Sequence, residues 1–131
     1  MPKPPGLRVL VVDDNRDAVE TLAMLLGLWG HDVRLAADGP SAVETAAAHR
    51  PDVVLLDISL PGMSGYEVAE RLRANAELRD TVLVAMTGYG QAEDKKEARK
   101  AGFSLHLVKP VEPDRLQKLL TELGAKRGGS A

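Results

Sequence analysis

Asp52-Val53-Val54-Leu55-Leu56-Asp57-Ile58-Ser59-Leu60-Pro61-Gly62-Met63-Ser64-Gly65-Tyr66-Glu67 decides the fold. The run from Asp52 to Asp57 is almost wholly apolar, as a strand covered on both faces must be. Pro61-Gly62 then breaks the chain. Ser64 and Glu67 have the spacing of a helix-capping pair, which predicts a helix from there to about Ala74. One strand, one short loop and one helix make a unit, and the rest of the chain repeats its alternation.

Upstream, Leu7 to Asp13 reads as a strand. A helix follows with Val19, Leu22, Ala23 and Leu26 at helical spacing, stopped by Gly30. Trp29 is expected to pack at its end. Asp32 to Ala37 is a second strand. Asp38-Gly39-Pro40 opens a second helix with Val43, Ala46 and Ala47 as its apolar face, closed by Pro51. Downstream, Thr81 to Thr87 and Ser104 to Val108 are strands. The segment from Gln91 to Ala101 between them is a charge-dominated helix, a solvated face with pairs such as Glu93-Lys96. The last helix has Pro113 in its first turn and a Leu116, Leu119, Leu120, Leu123 stripe, with Gly124 as its stop. Five strand–helix units with short loops predict an α/β fold with a doubly wound five-stranded parallel sheet.

Composition narrows the function. The 131 residues suit one domain, and 44% apolar content with 3% aromatics implies an aliphatic core. A net charge of −2 with both signs mixed argues against nucleic acid or an anionic membrane as main partner. The absence of cysteine excludes disulfides, thiolate catalysis and cysteine-based zinc sites, and it fits a cytoplasmic protein. No apolar stretch approaches the ~20 residues of a membrane span. Residues 1–6 and 125–131 read as loose termini, the first without the apolar core of a secretory signal.

In such a sheet, ligands bind outside the carboxyl ends of the strands. Asp13-Asp14, Asp57, Thr87 and Lys109 all stand at such ends. Each has an ordinary explanation when taken singly: an aspartate pair after a strand is usually a turn or helix cap. Four strands ending in compatible groups are harder to explain that way. Converging carboxylates repel, and a hard divalent cation such as Mg²⁺ relieves this. Asp13 and Asp14 therefore read as metal ligands, with Asp57 as a third group and the Ser59 backbone carbonyl as a further oxygen. The Lys109 charge and the Thr87 hydroxyl, with the metal, suit the equatorial oxygens of a phosphoryl group. Asp57, central among them, is the best-placed nucleophile, giving an acyl phosphate.

These residues, with Leu55 to Gly65 and Lys109-Pro110, resemble the receiver domain of two-component response regulators, of the chemotaxis-regulator kind, over residues 7–124. The resemblance implies the flavodoxin-like strand order 2-1-3-4-5. It implies that Asp57 takes a phosphoryl group from a phosphohistidine of a sensor histidine kinase or histidine phosphotransfer protein. Mg²⁺ would be held by Asp14, Asp57 and the Ser59 carbonyl, with Asp13 orienting waters. Lys109 would contact the phosphate. Thr87 would swing toward it and move the face made by the fourth helix, fifth strand and fifth helix. Such a module turns over no external substrate. Ser59 and Tyr89 fall where the family tunes phosphoryl lifetime, and Tyr89 is expected to shield the acyl phosphate.

His106 departs from the family pattern, which usually has Tyr or Phe three residues before the lysine; as a switch residue it would add pH sensitivity. His31 and His49 read as surface residues. The stretch His106 to Pro113 is most like hybrid-kinase receivers, so the chain reads as a single-domain regulator or a receiver from a multidomain protein. A phosphatase with an aspartate nucleophile would carry a second acid two residues later, where Ser59 stands. A phosphorylation-independent binding module would not need the complete acceptor set.

Overall fold

Strands β1 (Arg8–Val12), β2 (Asp32–Ala36), β3 (Val53–Asp57), β4 (Val82–Thr87) and β5 (Phe103–Val108) form one parallel sheet in the order β2-β1-β3-β4-β5. Helices α1 (Arg16–Leu28), α2 (Gly39–His49), α3 (Gly65–Arg73), α4 (Lys95–Ala101) and α5 (Pro113–Gly128) connect and follow them. The computed structural model describes residues 6–88 and 95–128. The expected strand order and five strand–helix units are both present.

Period-two alternation divides the sheet's side chains between two cores. Leu10, Val12, Val54, Leu56 and Ala85 face α2, α3 and α4, meeting Ala42, Ala46, Val68, Leu72 and Ala101. Val9, Val11, Val53, Leu55, Val84 and Met86 face α1 and α5, meeting Val19, Leu26, Leu116 and Leu120. β3 is buried along its whole length, which explains its uninterrupted apolar run. Full burial of each such side chain contributes roughly 1.5–3 kcal/mol.

Three helix starts are capped by side-chain oxygens, which accept from backbone amides: Asn15 from Ala18 (3.2 Å), Asp38 from Ser41 (2.8 Å) and Ser64 from Glu67 (3.2 Å). Each cap contributes ~1 kcal/mol. α1 ends as expected, with Gly30 at φ +92° after Trp29, whose ring packs partly buried against the second core.

Four expectations need correction. α5 runs through Gly124 to Gly128. A single interior glycine costs only ~1 kcal/mol relative to alanine, and the Leu116–Leu123 stripe, buried or partly buried, outweighs it. The buried face of α2 is Gly39, Ala42 and Ala46 with Val43 beside it; Ala47 is exposed. His31 is half-buried, and its Nδ1 accepts from the Leu7 amide at 3.1 Å. His49 is also half-buried, with Nε2 enclosed. A 3₁₀ turn at Ala76–Leu78 was not foreseen.

Among the described side chains of α4, Ala98 and Ala101 are buried and the charged ones exposed, as expected. Gln91 to Asp94 lie outside the described residues, and the expected Glu93-Lys96 pair lies there with Glu93. No helix among the described residues is long and apolar enough to cross a membrane.

Candidate phosphoryl site

β1 and β3 are adjacent and in register, Val12 opposite Leu56, so Asp13 and Asp57 leave the sheet at the same level. Carboxylate oxygens of Asp13, Asp14 and Asp57 lie within 4.8 Å of one another. Asp13 and Asp57 are each 3% exposed, while Asp14 faces solvent. Two buried carboxylates this close need compensation, and the structure supplies it in two ways.

First, each binds its own backbone. Asp13 Oδ1 accepts from the Asn15 amide at 2.9 Å, and Asp57 Oδ1 accepts from the Ser59 amide at 2.9 Å. Both are the turn that an aspartate makes with the residue two places on. The Ser59 hydroxyl adds a second donor to Asp57 Oδ1, at 2.8 Å. Second, Lys109 spans the remaining oxygens. Its Nζ lies 2.6 Å from Asp13 Oδ2 and 3.0 Å from Asp57 Oδ2. These are charge-assisted bonds, about twice as strong as neutral ones.

The balance is visible in the ionisation. Burial by itself would push the Asp57 carboxyl up, but the bonds from Ser59 and Lys109 outweigh it and hold the group below the usual carboxylate range. Burial likewise pulls Lys109 down, and the bonds to Asp13 and Asp57 outweigh it and raise the ammonium above the usual lysine value. Asp57 therefore stays anionic and Lys109 cationic at neutral pH.

Lys109 is delivered by the end of β5. Its amide donates to the Thr87 carbonyl at 2.7 Å, one residue beyond the Thr87–Val108 pair. The Lys109–Pro110 peptide bond is cis. Thr87 is buried at the end of β4, next to Met86, which pairs with Asp57. His106 is half-buried and pairs with Ala85, further back along β5. Tyr89 lies outside the described residues.

Two residues not singled out by the sequence matter here. Asn15 pins Asp13 as well as capping α1; the Asp-x-Asn spacing was a legible signal for it. Gly65 starts α3 against the end of β3, where an added Cβ would stand 2.4 Å from Ile58 Cα and 2.8 Å from the Asp57 carbonyl oxygen. Only glycine allows that approach.

An acidic cluster beside one ammonium is suited to holding a hard divalent cation and to receiving a phosphoryl group. The carboxylate oxygens are near enough to share one ion.

Comparison with known proteins bears on this arrangement. The sequence profile of the response regulator receiver domain matches residues 9–121. Protein PilH of Pseudomonas aeruginosa is 34% identical over 113 residues, covering 86% of this chain and 93% of PilH. The transcriptional regulatory protein PrrA of Mycobacterium tuberculosis is 35% identical over 124 residues, and the matched region is 52% of its length. Among solved structures, the chemotaxis response regulator CheY4 of Vibrio cholerae superposes with a TM-score of 0.83 at 31% identity, covering 90% of this chain and 98% of CheY4. The receiver domain of a Pseudomonas aeruginosa sensor histidine kinase gives 0.82 at 31% identity, covering 92% and 98%; that structure has a magnesium ion coordinated in the active site cleft.

Proposed function

The chain belongs to the response regulator receiver domain family, and from that membership we propose that Asp57 is the phosphoacceptor of a two-component phosphorelay. The observation that carries this is Asp57 itself: a buried, ionised carboxylate at the end of the central strand, bridged to a second carboxylate by Lys109. The domain encloses the matched 9–121 and is proposed as residues 7–124, with α5 continuing beyond it to Gly128. The donor is a phosphohistidine on a sensor histidine kinase or phosphotransfer protein.

Asp13, Asp14 and Asp57 fit Mg²⁺ in kind and in spacing. When bound, Mg²⁺ supplies positive charge to the phosphoryl oxygens and relieves the repulsion among the carboxylates. An Asp57 carboxylate oxygen attacks phosphorus, and the P–N bond to the donor imidazole breaks with its electron pair staying on nitrogen. The phosphoryl group passes to Asp57 as an acyl phosphate. Lys109 then follows the charge, moving from Asp57 Oδ2 to a phosphoryl oxygen. Thr87 serves as readout through its hydroxyl, and the α4–β5–α5 face responds, with His106 at the switch position on β5. Ser59 and Tyr89 set the lifetime of the acyl phosphate. The chain is thus a switch that assists its own phosphorylation, with no external substrate.

Incubation with Mg²⁺ and acetyl phosphate, read by intact mass, tests this. A phosphate adduct in the wild type that is missing in Asp57→Ala supports it. No adduct with any donor overturns it and favours a phosphorylation-independent binding module.

A further inference from the structure

Helix α3 is gripped at both ends. At its start, Gly65 is wedged against the end of β3, and its amide donates to the Ile58 carbonyl at 3.2 Å. At its end, Arg73 spreads its guanidinium over three backbone carbonyls. Nη1 donates to Leu78 (3.2 Å) and Arg79 (3.1 Å), and Nη2 donates to Gly102 (3.1 Å). Leu78 and Arg79 close the 3₁₀ turn ahead of β4. Gly102 is the turn between α4 and β5, with φ +110°. The Arg73 stem lies flat on that turn: a Cβ at Gly102 would stand 2.6 Å from Arg73 Cγ.

The clamp fixes the turn that follows α4, a helix whose buried side chains, among those described, are small. Ala98 and Ala101 are its buried side chains among those described, and a methyl group removes little surface from water. The guanidinium, by contrast, is a pre-organised planar fork. Carbonyls that lose a charged donor and stay shielded from water are penalised. A nine-residue helix is roughly 13 Å long, so α3 spans most of the depth of the sheet.

We propose that Arg73 is a positioning residue that makes α3 a strut between the Asp57 end of β3 and the α4–β5 turn. The strut is a mechanical link to the α4–β5–α5 face separate from the one through Thr87. Its signalling role rests on the reading of Asp57 as phosphoacceptor; the clamp itself rests on the contacts above.

Arg73→Met tests it, because methionine keeps an apolar stem and removes the donors. Hydrogen exchange is measured on wild type and variant, without phosphodonor and after adduct formation with Mg²⁺ and acetyl phosphate, with intact mass reporting the adduct. Without donor, amides 101–103 of the variant should exchange about tenfold faster, as expected for one lost charged hydrogen bond. Amides of β1 and α5 should change less. Adduct formation should match the wild type, while the adduct-dependent change in exchange over 96–108 should fall below half the wild-type change. Unchanged exchange at 101–103, or an equal rise throughout the chain, overturns the clamp. A loosened turn with a full adduct-dependent response overturns the link. A wild type that forms no adduct overturns the phosphoacceptor reading instead, and the donor-free comparison still decides the clamp.

Discussion

Asp13 and Asp57 are bound in the same way: each gives Oδ1 to the amide two residues ahead and Oδ2 to Lys109. The two carboxylates are thus held at fixed orientation by local backbone and joined by one cation. Removing that cation strands both. Lys109→Met should lower stability at pH 7 by about 2 kcal/mol, somewhat under the usual cost of breaking a buried pair because Lys109 keeps partial solvent contact. Urea unfolding at pH 7 checks this; an unchanged midpoint would contradict it.

The same pairs set a pH window. Asp57 is depressed in the folded state, so its contribution is complete above the unfolded value of ~3.9 and is lost as pH falls through its lower folded value. Lys109 is raised, so its contribution is complete below ~10.4 and is lost as pH climbs through its higher folded value. Urea midpoints should therefore fall at both extremes. Asp57→Asn should flatten the acid limb, and a limb identical to wild type would contradict the assignment.

Ser59 binds the Asp57 oxygen that Lys109 leaves free. Its hydroxyl and amide together saturate Asp57 Oδ1 and reduce its basicity. Ser59→Ala keeps the amide bond and removes the hydroxyl. Adduct formation with acetyl phosphate should speed up by roughly two- to tenfold, in line with the loss of one charge-assisted hydrogen bond. Time-resolved intact mass gives the rate.

Gly65→Ala places a methyl group against Ile58 Cα and the Asp57 carbonyl, and neither is a flexible side chain. A cost of about 1–3 kcal/mol follows from overpacking. If Asp57 is the phosphoacceptor as proposed, slower adduct formation should accompany it, because the strain falls on its backbone. Denaturation and adduct kinetics on one preparation measure both.

His31 should make the fold sensitive to mild acid. Burial lowers its ionisation, and Nδ1 must stay unprotonated to accept from the Leu7 amide. Below ~6.5 the unfolded chain gains a proton that the folded chain resists, so stability falls as pH drops from there toward the lower folded value. His31→Gln, measured by urea midpoints between pH 7.5 and 5, should remove most of that slope.

Much of this was legible in the sequence. Apolar runs ending in Asp13, Asp57 and Thr87 marked strand ends because a parallel sheet is buried on both faces. Ser64 three residues before Glu67 marked the start of α3 for a local reason, a cap. Failures came where a local rule met tertiary packing. Gly124 reads as a stop until the leucines around it are seen to be packed. The buried stripe of α2 is offset from the expected one because a run of alanines, Ala46 to Ala48, gives no phase. That Lys109 bridges two carboxylates rather than one is a matter of a few ångströms, which spacing along a chain does not encode.

Three carboxylates and one ammonium leave the cluster with a formal charge of −2. A single dication neutralises it, whereas a monovalent ion leaves it at −1. Charge stoichiometry alone therefore favours a divalent over a monovalent cation at this cluster. A protein lacking Lys109 would stand at a formal −3, which a single dication would no longer neutralise.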